Sequence, residues 1–252
     1  MIDDQLRGQL VREYLEEVDD VLADFDVTLG NLSAGSADTT AEGKHLFATF
    51  SLLRAQGRGM EITFMDVALH RLCDYLEDLT QSTPKVLEDL QHYSTIVRGL
   101  VERSDQDEDV SAFARSLPVR TPPDLDNVVQ VDVEIMLVEP NKTVSKLVSR
   151  ELRACGYRVT TIRESVDSLS YAVQTKPDMI IASAELDQLS GIDLACAFGA
   201  MPVTKAIPFA ILTSRDHDHA ALADLPQSAA LLKKGAKFGD DLADALAQFG
   251  IT

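Results

Sequence analysis

Lys176-Pro-Asp-Met-Ile-Ile-Ala-Ser-Ala-Glu-Leu-Asp-Gln-Leu-Ser-Gly191 decides how the second half of this chain folds. Residues 178–182 form a short, mostly apolar run, the pattern of a strand buried on both faces. The polar stretch after it reads as a loop, and 191–199 belongs to the next helix. A buried strand, a loop and a helix in that order make one unit of a parallel sheet with crossover helices.

The same alternation continues on both sides of this stretch. Strands are predicted over 133–138, 157–161, 209–212 and 229–232, and helices over 143–155, 165–174, 218–225 and 240–249. Five strands alternating with five helices predict a doubly wound, five-stranded parallel sheet of the α/β class, whose functional edge lies at the strand C-termini.

Toward the N-terminus the period changes. Leu6, Leu10, Tyr14, Val18, Leu22, Phe25 and Leu29 recur every three or four residues, one apolar stripe on a long helix ended by Gly30 and the small polar residues after it. A second helix is expected over 40–56 with Leu46, Phe47, Phe50 and Leu53 inward. A third covers 62–79, with Met65, Leu69, Leu72, Leu76 and Leu79 on its apolar side, and Pro84 opens a fourth that reaches 101. The acidic stretch 104–109 turns the chain into a short last helix over 110–117. Short connections between such helices predict an antiparallel all-α bundle. Between the halves, Pro118-Val-Arg-Thr-Pro-Pro-Asp-Leu-Asp-Asn-Val-Val-Gln130 cannot continue a helix and reads as an extended linker. The expected organisation is a helical bundle over 1–117, a linker over 118–131 and an α/β domain over 132–252.

Composition narrows the function. The chain has 252 residues, 45% hydrophobic and 25% charged, with a formal net charge of −18. Such a field repels phosphate backbones and anionic lipid, which argues against nucleic-acid and membrane-surface roles. No run approaches the roughly 18 apolar residues of a membrane helix, and the N-terminus lacks a signal-peptide pattern, so a cytoplasmic protein without membrane insertion is expected. Cys73, Cys155 and Cys196 show neither metal-ligand nor disulfide spacing and read as small core residues.

Laid out in this way, the second half resembles a response-regulator receiver domain, of the fold of single-domain chemotaxis regulators, across its whole length. Such a domain needs an acidic pair after its first strand and a phosphoacceptor aspartate at the end of its third, which together hold magnesium. The resemblance places Glu139 and Pro140 at the acidic pair and Ser183 at the acceptor, so two of three metal-site carboxylates are replaced. A serine hydroxyl cannot form an acyl phosphate or serve a metal as a carboxylate does. The family's switch hydroxyl is matched by Thr213 and its lysine by Lys234, with Lys233 one residue away as an alternative. Its switch aromatic falls at Ala230 or Leu231, neither of which can play that part, and the usual proline after the lysine is Gly235. The resemblance implies a pseudo-receiver.

The first half resembles a histidine phosphotransfer domain of the kind that begins chemotaxis kinases. The likeness rests on element order, on the helix around Tyr14-Leu-Glu-Glu-Val-Asp-Asp-Val-Leu-Ala-Asp-Phe25 and on Val67-Ala-Leu-His-Arg-Leu-Cys-Asp-Tyr-Leu-Glu77. Counting back from His70, matched to a structural histidine of that family, puts the phosphorylatable position at Ser51. Arg54 keeps a basic residue nearby, while Ala55 replaces a glycine. Both relay positions are thus degenerate. A docking surface around Ser51, Arg54 and Gln56 is expected to survive, because interface energy lies in apolar anchors and not in the transferred group.

The expectation is a non-catalytic adaptor in bacterial two-component or chemotaxis-type signalling. It binds a histidine kinase, a receiver domain or a chemoreceptor-array component, forms a homodimer in one version, and carries no cofactor and no metal. One alternative is a working phosphorelay with displaced acceptors at His45 or His70 and at Glu185 or Asp187. Another is a small ligand in the pocket between Ser183 and Glu139. The solvent-facing place that the resemblance gives Ser51 also opens it to a serine kinase. Asp216-His-Asp-His219 could be read as a metal cluster, and is more simply a solvated loop.

Overall fold

A computed structural model describes residues 4–102, 109–120, 128–216 and 219–251, with the Asp4 side chain left aside. The chain divides into two compact units, Met1–Arg120 and Thr121–Thr252.

The first unit is helical: α1 (Asp4–Ser33), α2 (Thr39–Gly57), α3 (Thr63–Leu76), α4 (Pro84–Glu102) and α5 (Val110–Ser116). α3 is the central element, in contact with α2, α4 and α5. It buries residues around most of its circumference, from Met65 through Leu69 and Leu72 to Leu76. Such all-round burial is expected of a helix at the heart of a bundle. Edge-to-face ring pairs, Phe25 with Phe50 and Tyr75 with Tyr93, lock α1 to α2 and α3 to α4.

The stripe on α1 is buried from Tyr14 to Leu29 and continues through Gly30 to a buried Leu32. Its first two members depart from expectation, because Leu6 is 50% and Leu10 39% exposed. The reason is the length of α2, which ends at Gly57 against the Tyr14 hydroxyl. Beyond that point the loop after α2 reaches α1 through Arg7, which pairs with Glu61 and donates to the Met60 carbonyl. Phe47, expected inward, is half-buried.

The end of this unit runs past the last helix. The Tyr93 hydroxyl donates to the Pro118 carbonyl at 2.6 Å, and Arg120 lies partly buried near Asp78 and Tyr75, burial lowering its pKa. Of the expected linker, 121–127 lies outside the described residues. At its far end the Val131 amide donates to the Gly156 carbonyl.

The second unit carries β1 (Glu134–Val138), α6 (Lys142–Ala154), β2 (Arg158–Ile162), α7 (Ser165–Thr175), β3 (Met179–Ser183), α8 (Gly191–Ala200), β4 (Phe209–Thr213), β5 (Ala230–Lys233) and α9 (Phe238–Phe249). The strands are all parallel in the order β2-β1-β3-β4-β5, a doubly wound sheet as expected. One face packs Ile135, Leu137, Ile181, Leu212 and Leu232 against α6 and α9, and α7 and α8 lie against the strands as well. In register, Val138 stands beside Ala182, Ser183 beside Leu212 and Thr213 beside Lys233. The C-terminal ends of β1, β3, β4 and β5 therefore meet at one edge.

One expected helix is missing. Among the described residues, 219–225 hold in its place a single 3-10 turn, Ala220–Leu222, with the His219 ring accepting the Ala221 amide. Pro226 explains this, since it disfavours helical backbone at Leu225 and leaves too few residues for a stable α-helix. The cysteines also divide: Cys73 is buried as expected, but Cys155 and Cys196 are exposed. Cys155 caps the end of α6, and Cys196 sits on the outer side of α8, whose inner side carries Leu194, Ala195 and Phe198.

α7 ends on Lys176 in left-handed backbone, φ 45°, where glycine is the favoured residue. Lys176→Gly is expected to stabilise the second unit by about 0.5 kcal/mol, the relief of strain exceeding the added entropy of the unfolded chain. Urea unfolding of both proteins checks this, and a loss of stability would show that the turn is not strained.

Candidate functional site

The strand-end edge of the second unit brings together four of the expected residues. β1 delivers Glu139 just past its end, 2% exposed, and β3 ends in Ser183, 1% exposed. Lys234 follows β5, its amide donating to the Thr213 carbonyl, so the ladder carries it to the same level. Its ammonium donates to Ser183 Oγ at 2.9 Å and to Glu139 Oε2 at 3.2 Å. The other oxygen of Glu139 accepts the Asn141 amide at 2.9 Å. Asn141 in turn caps α6 by accepting from the amides of Thr143 and Val144. Thr213 is 4% exposed, and its hydroxyl accepts the Arg215 amide at 3.1 Å.

The C-terminal unit resembles a response-regulator receiver domain. The topology and the level at which these residues meet carry that likeness. No family model matches the chain. Over 81 residues, 32% of its length, it is 27% identical to the transcriptional regulatory protein PrrA of Mycobacterium leprae, of which it spans about a third (34%). Among solved structures it is similar to the receiver domain of the sensor histidine kinase PA1611 of Pseudomonas aeruginosa, at 22% identity and a TM-score of 0.43. That match covers 47% of this chain and 98% of the other. It is also similar to the chemotaxis response regulator CheY4 of Vibrio cholerae, at 19% identity and a TM-score of 0.41, covering 46% and 98%.

Of the two candidate lysines in the receiver-like unit, Lys234 is the one in the site. Lys233 pairs instead with Asp216, which lowers the pKa of that carboxyl. At the aromatic position, Ala230 is buried and Leu231 half-buried. Glu185 is exposed and held 2.6 Å from Arg215, so it is turned to the β4 loop. The backbone at Asp187 is fixed from behind, its carbonyl accepting from the Ser165 hydroxyl at 2.6 Å. Sequence reasoning did not single out Asn141, Ser165 or Arg215. Asn141 had a signal, a capping residue directly before a helix. The other two had none, since they act on loops distant in sequence.

The arrangement does not suit the magnesium ion that the family implies. Hard divalent cations take several oxygen donors, carboxylates foremost. The donor set here is one carboxylate, with one oxygen on the Asn141 amide and the other facing an ammonium, and one hydroxyl already accepting from that ammonium. Among the described residues no group of three or more His, Cys, Asp and Glu could hold a metal ion. Residues 217 and 218 of the Asp216–His219 stretch lie outside them; Asp216 serves Lys233, and the His219 ring accepts the Ala221 amide.

In the helical unit, Ser51, expected from the resemblance to face solvent, is half-buried, and its hydroxyl lies 3.6 Å from the Cys73 thiol. Burial pushes that thiol up to about 11. The exposed neighbour is Leu52, at 61%. Arg54 is engaged within the bundle, 2.9 Å from Asp66, while exposed Gln56 donates to Glu17 at 3.2 Å. His70 is buried on α3, with Asp74 3.9 Å away, and His45 is exposed on α2. Among the described residues no helix is long and apolar enough to cross a membrane.

Proposed function

We propose that this chain is a non-catalytic adaptor in two-component or chemotaxis-type signalling, binding kinases, receivers or receptors without carrying phosphate. Receiver-like folds work by docking to other signalling proteins, and the strand-end site is where phosphate would enter. The observation that carries the reading is the hydroxyl of Ser183 at the acceptor level, held by Lys234 and nearly sealed from solvent. Such a group is neither an acyl-phosphate former nor reachable for in-line attack. The helical unit, read as phosphotransfer-like, offers Leu52, Ala55 and Gln56 as its exposed surface beside Ser51. Docking there would run through Leu52 and not through Arg54, which Asp66 holds.

The test is incubation of the full chain with a phosphorylated donor protein, and separately with acetyl phosphate, in the presence of magnesium. No acid-labile or hydroxylamine-sensitive phosphate is expected on the chain. Stoichiometric label on His45, His70, Glu185 or Asp187 would overturn the reading and establish a relay with displaced acceptors.

A further inference from the structure

We infer that Lys234 is the resident cation of the strand-end site, standing where a divalent ion would otherwise be needed and fixing three loops in one arrangement. The inference rests on reading the second unit as receiver-like, and it concerns what replaced the metal. One buried carboxylate, that of Glu139, faces one ammonium, so the site is neutral without any added ion. The polar atoms a metal would use are committed: Glu139 Oε1 to the Asn141 amide, Glu139 Oε2 and Ser183 Oγ to Lys234. A divalent ion within bonding distance of Glu139 would stand against the ammonium in a sparsely hydrated site, where like charges repel strongly.

Two of these contacts, from Lys234 to Glu139 and to Ser183, join parts far apart in the chain. Glu139 begins the connection to α6, Ser183 ends β3, and Lys234 begins the connection to α9. Two further pairs bridge the neighbouring loops, Arg215 to Glu185 and Lys233 to Asp216. The Thr213 hydroxyl accepts the Arg215 amide, which ties the end of β4 to the loop after it. A surface built on these loops keeps one form whether or not divalent ions are present.

Manganese chloride titrated into the full, isotope-labelled chain tests this through paramagnetic loss of amide signals. The carboxylates of α1 will collect some manganese, so the readout is selective loss at Glu139, Asn141, Ala184 and Lys234. Those four signals are expected to persist in the natural chain and in Lys234→Arg. In Lys234→Met, which frees Glu139 Oε2 and the Ser183 hydroxyl, they are expected to weaken at manganese concentrations that leave the natural chain untouched, and to return when Glu139→Gln is added. Selective loss in the natural chain would overturn the inference, since the metal would then displace the lysine. Persistence in a folded Lys234→Met protein would do so as well. Neither result depends on phosphate transfer, so the adaptor reading stands or falls separately on the labelling experiment.

Discussion

Replacing Lys234 with methionine is expected to destabilise the second unit by about 2 kcal/mol, and adding Glu139→Gln to return most of that loss. The asymmetry of burial sets the size. Glu139 is 2% exposed, whereas the Lys234 side chain keeps 31% of its surface in contact with solvent. Removing the lysine strands a carboxylate that retains the Asn141 amide as its partner and no cation. Breaking a fully buried pair costs about 3–5 kcal/mol, and the solvent reach of Lys234 reduces it. Glutamine keeps the acceptor for Asn141 and removes the charge, so the double variant has nothing charged to desolvate. Hydrogen exchange of the β1 and β3 amides, which reports this unit alone, gives the three free energies. A Lys234→Met protein within about 0.5 kcal/mol of the natural chain would show that the pair is not formed in solution.

How much of this site could be read from the sequence depends on what each residue contributes. Glu139, Ser183 and Thr213 each stand first after a short apolar run, which marks the strand edge, but it was the receiver resemblance that singled them out, together with Lys234, as site positions. Position alone does not give hydrogen bonds. That Lys234 rather than Lys233 enters the site follows from the ladder at Thr213, a register between strands that no local pattern encodes. Arg54 read as a surface cation because its partner Asp66 lies on another helix. The lost helix before β5 was legible in principle, since Pro226 stood in the sequence, but the run of alanine and leucine before it suggested helix more strongly. Cys155 and Cys196 had apolar sequence neighbours, yet a helix turns successive residues about 100° apart, so neighbours in sequence face different surroundings.

Gly191→Ala is expected to cost about 3 kcal/mol or more in the second unit. A Cβ at this position would lie 2.2 Å from the Ser183 carbonyl oxygen and 2.6 Å from Ile211 Cδ1. The end of an isoleucine can turn aside, but the carbonyl belongs to the last residue of a central strand, paired on one side to β1 and on the other to β4. α8 must therefore retreat, which strains the Gly191 amide bond to the Ala184 carbonyl and the capping box of Ser190 with Asp193. Gly199, near the other end of the same helix, would meet nothing within 4 Å of an added Cβ and supplies the control. Gly199→Ala is expected to be neutral or to stabilise by about 0.5 kcal/mol, as the gain in helix propensity alone would give. The contrast between two identical substitutions isolates close approach from backbone entropy. It also bears on the site, because the atom that blocks the methyl group belongs to Ser183 itself. If Gly191→Ala proved as stable as Gly199→Ala, the end of β3 would have to give way readily, and Ser183 would not be the fixed acceptor that Lys234 needs to join the three loops.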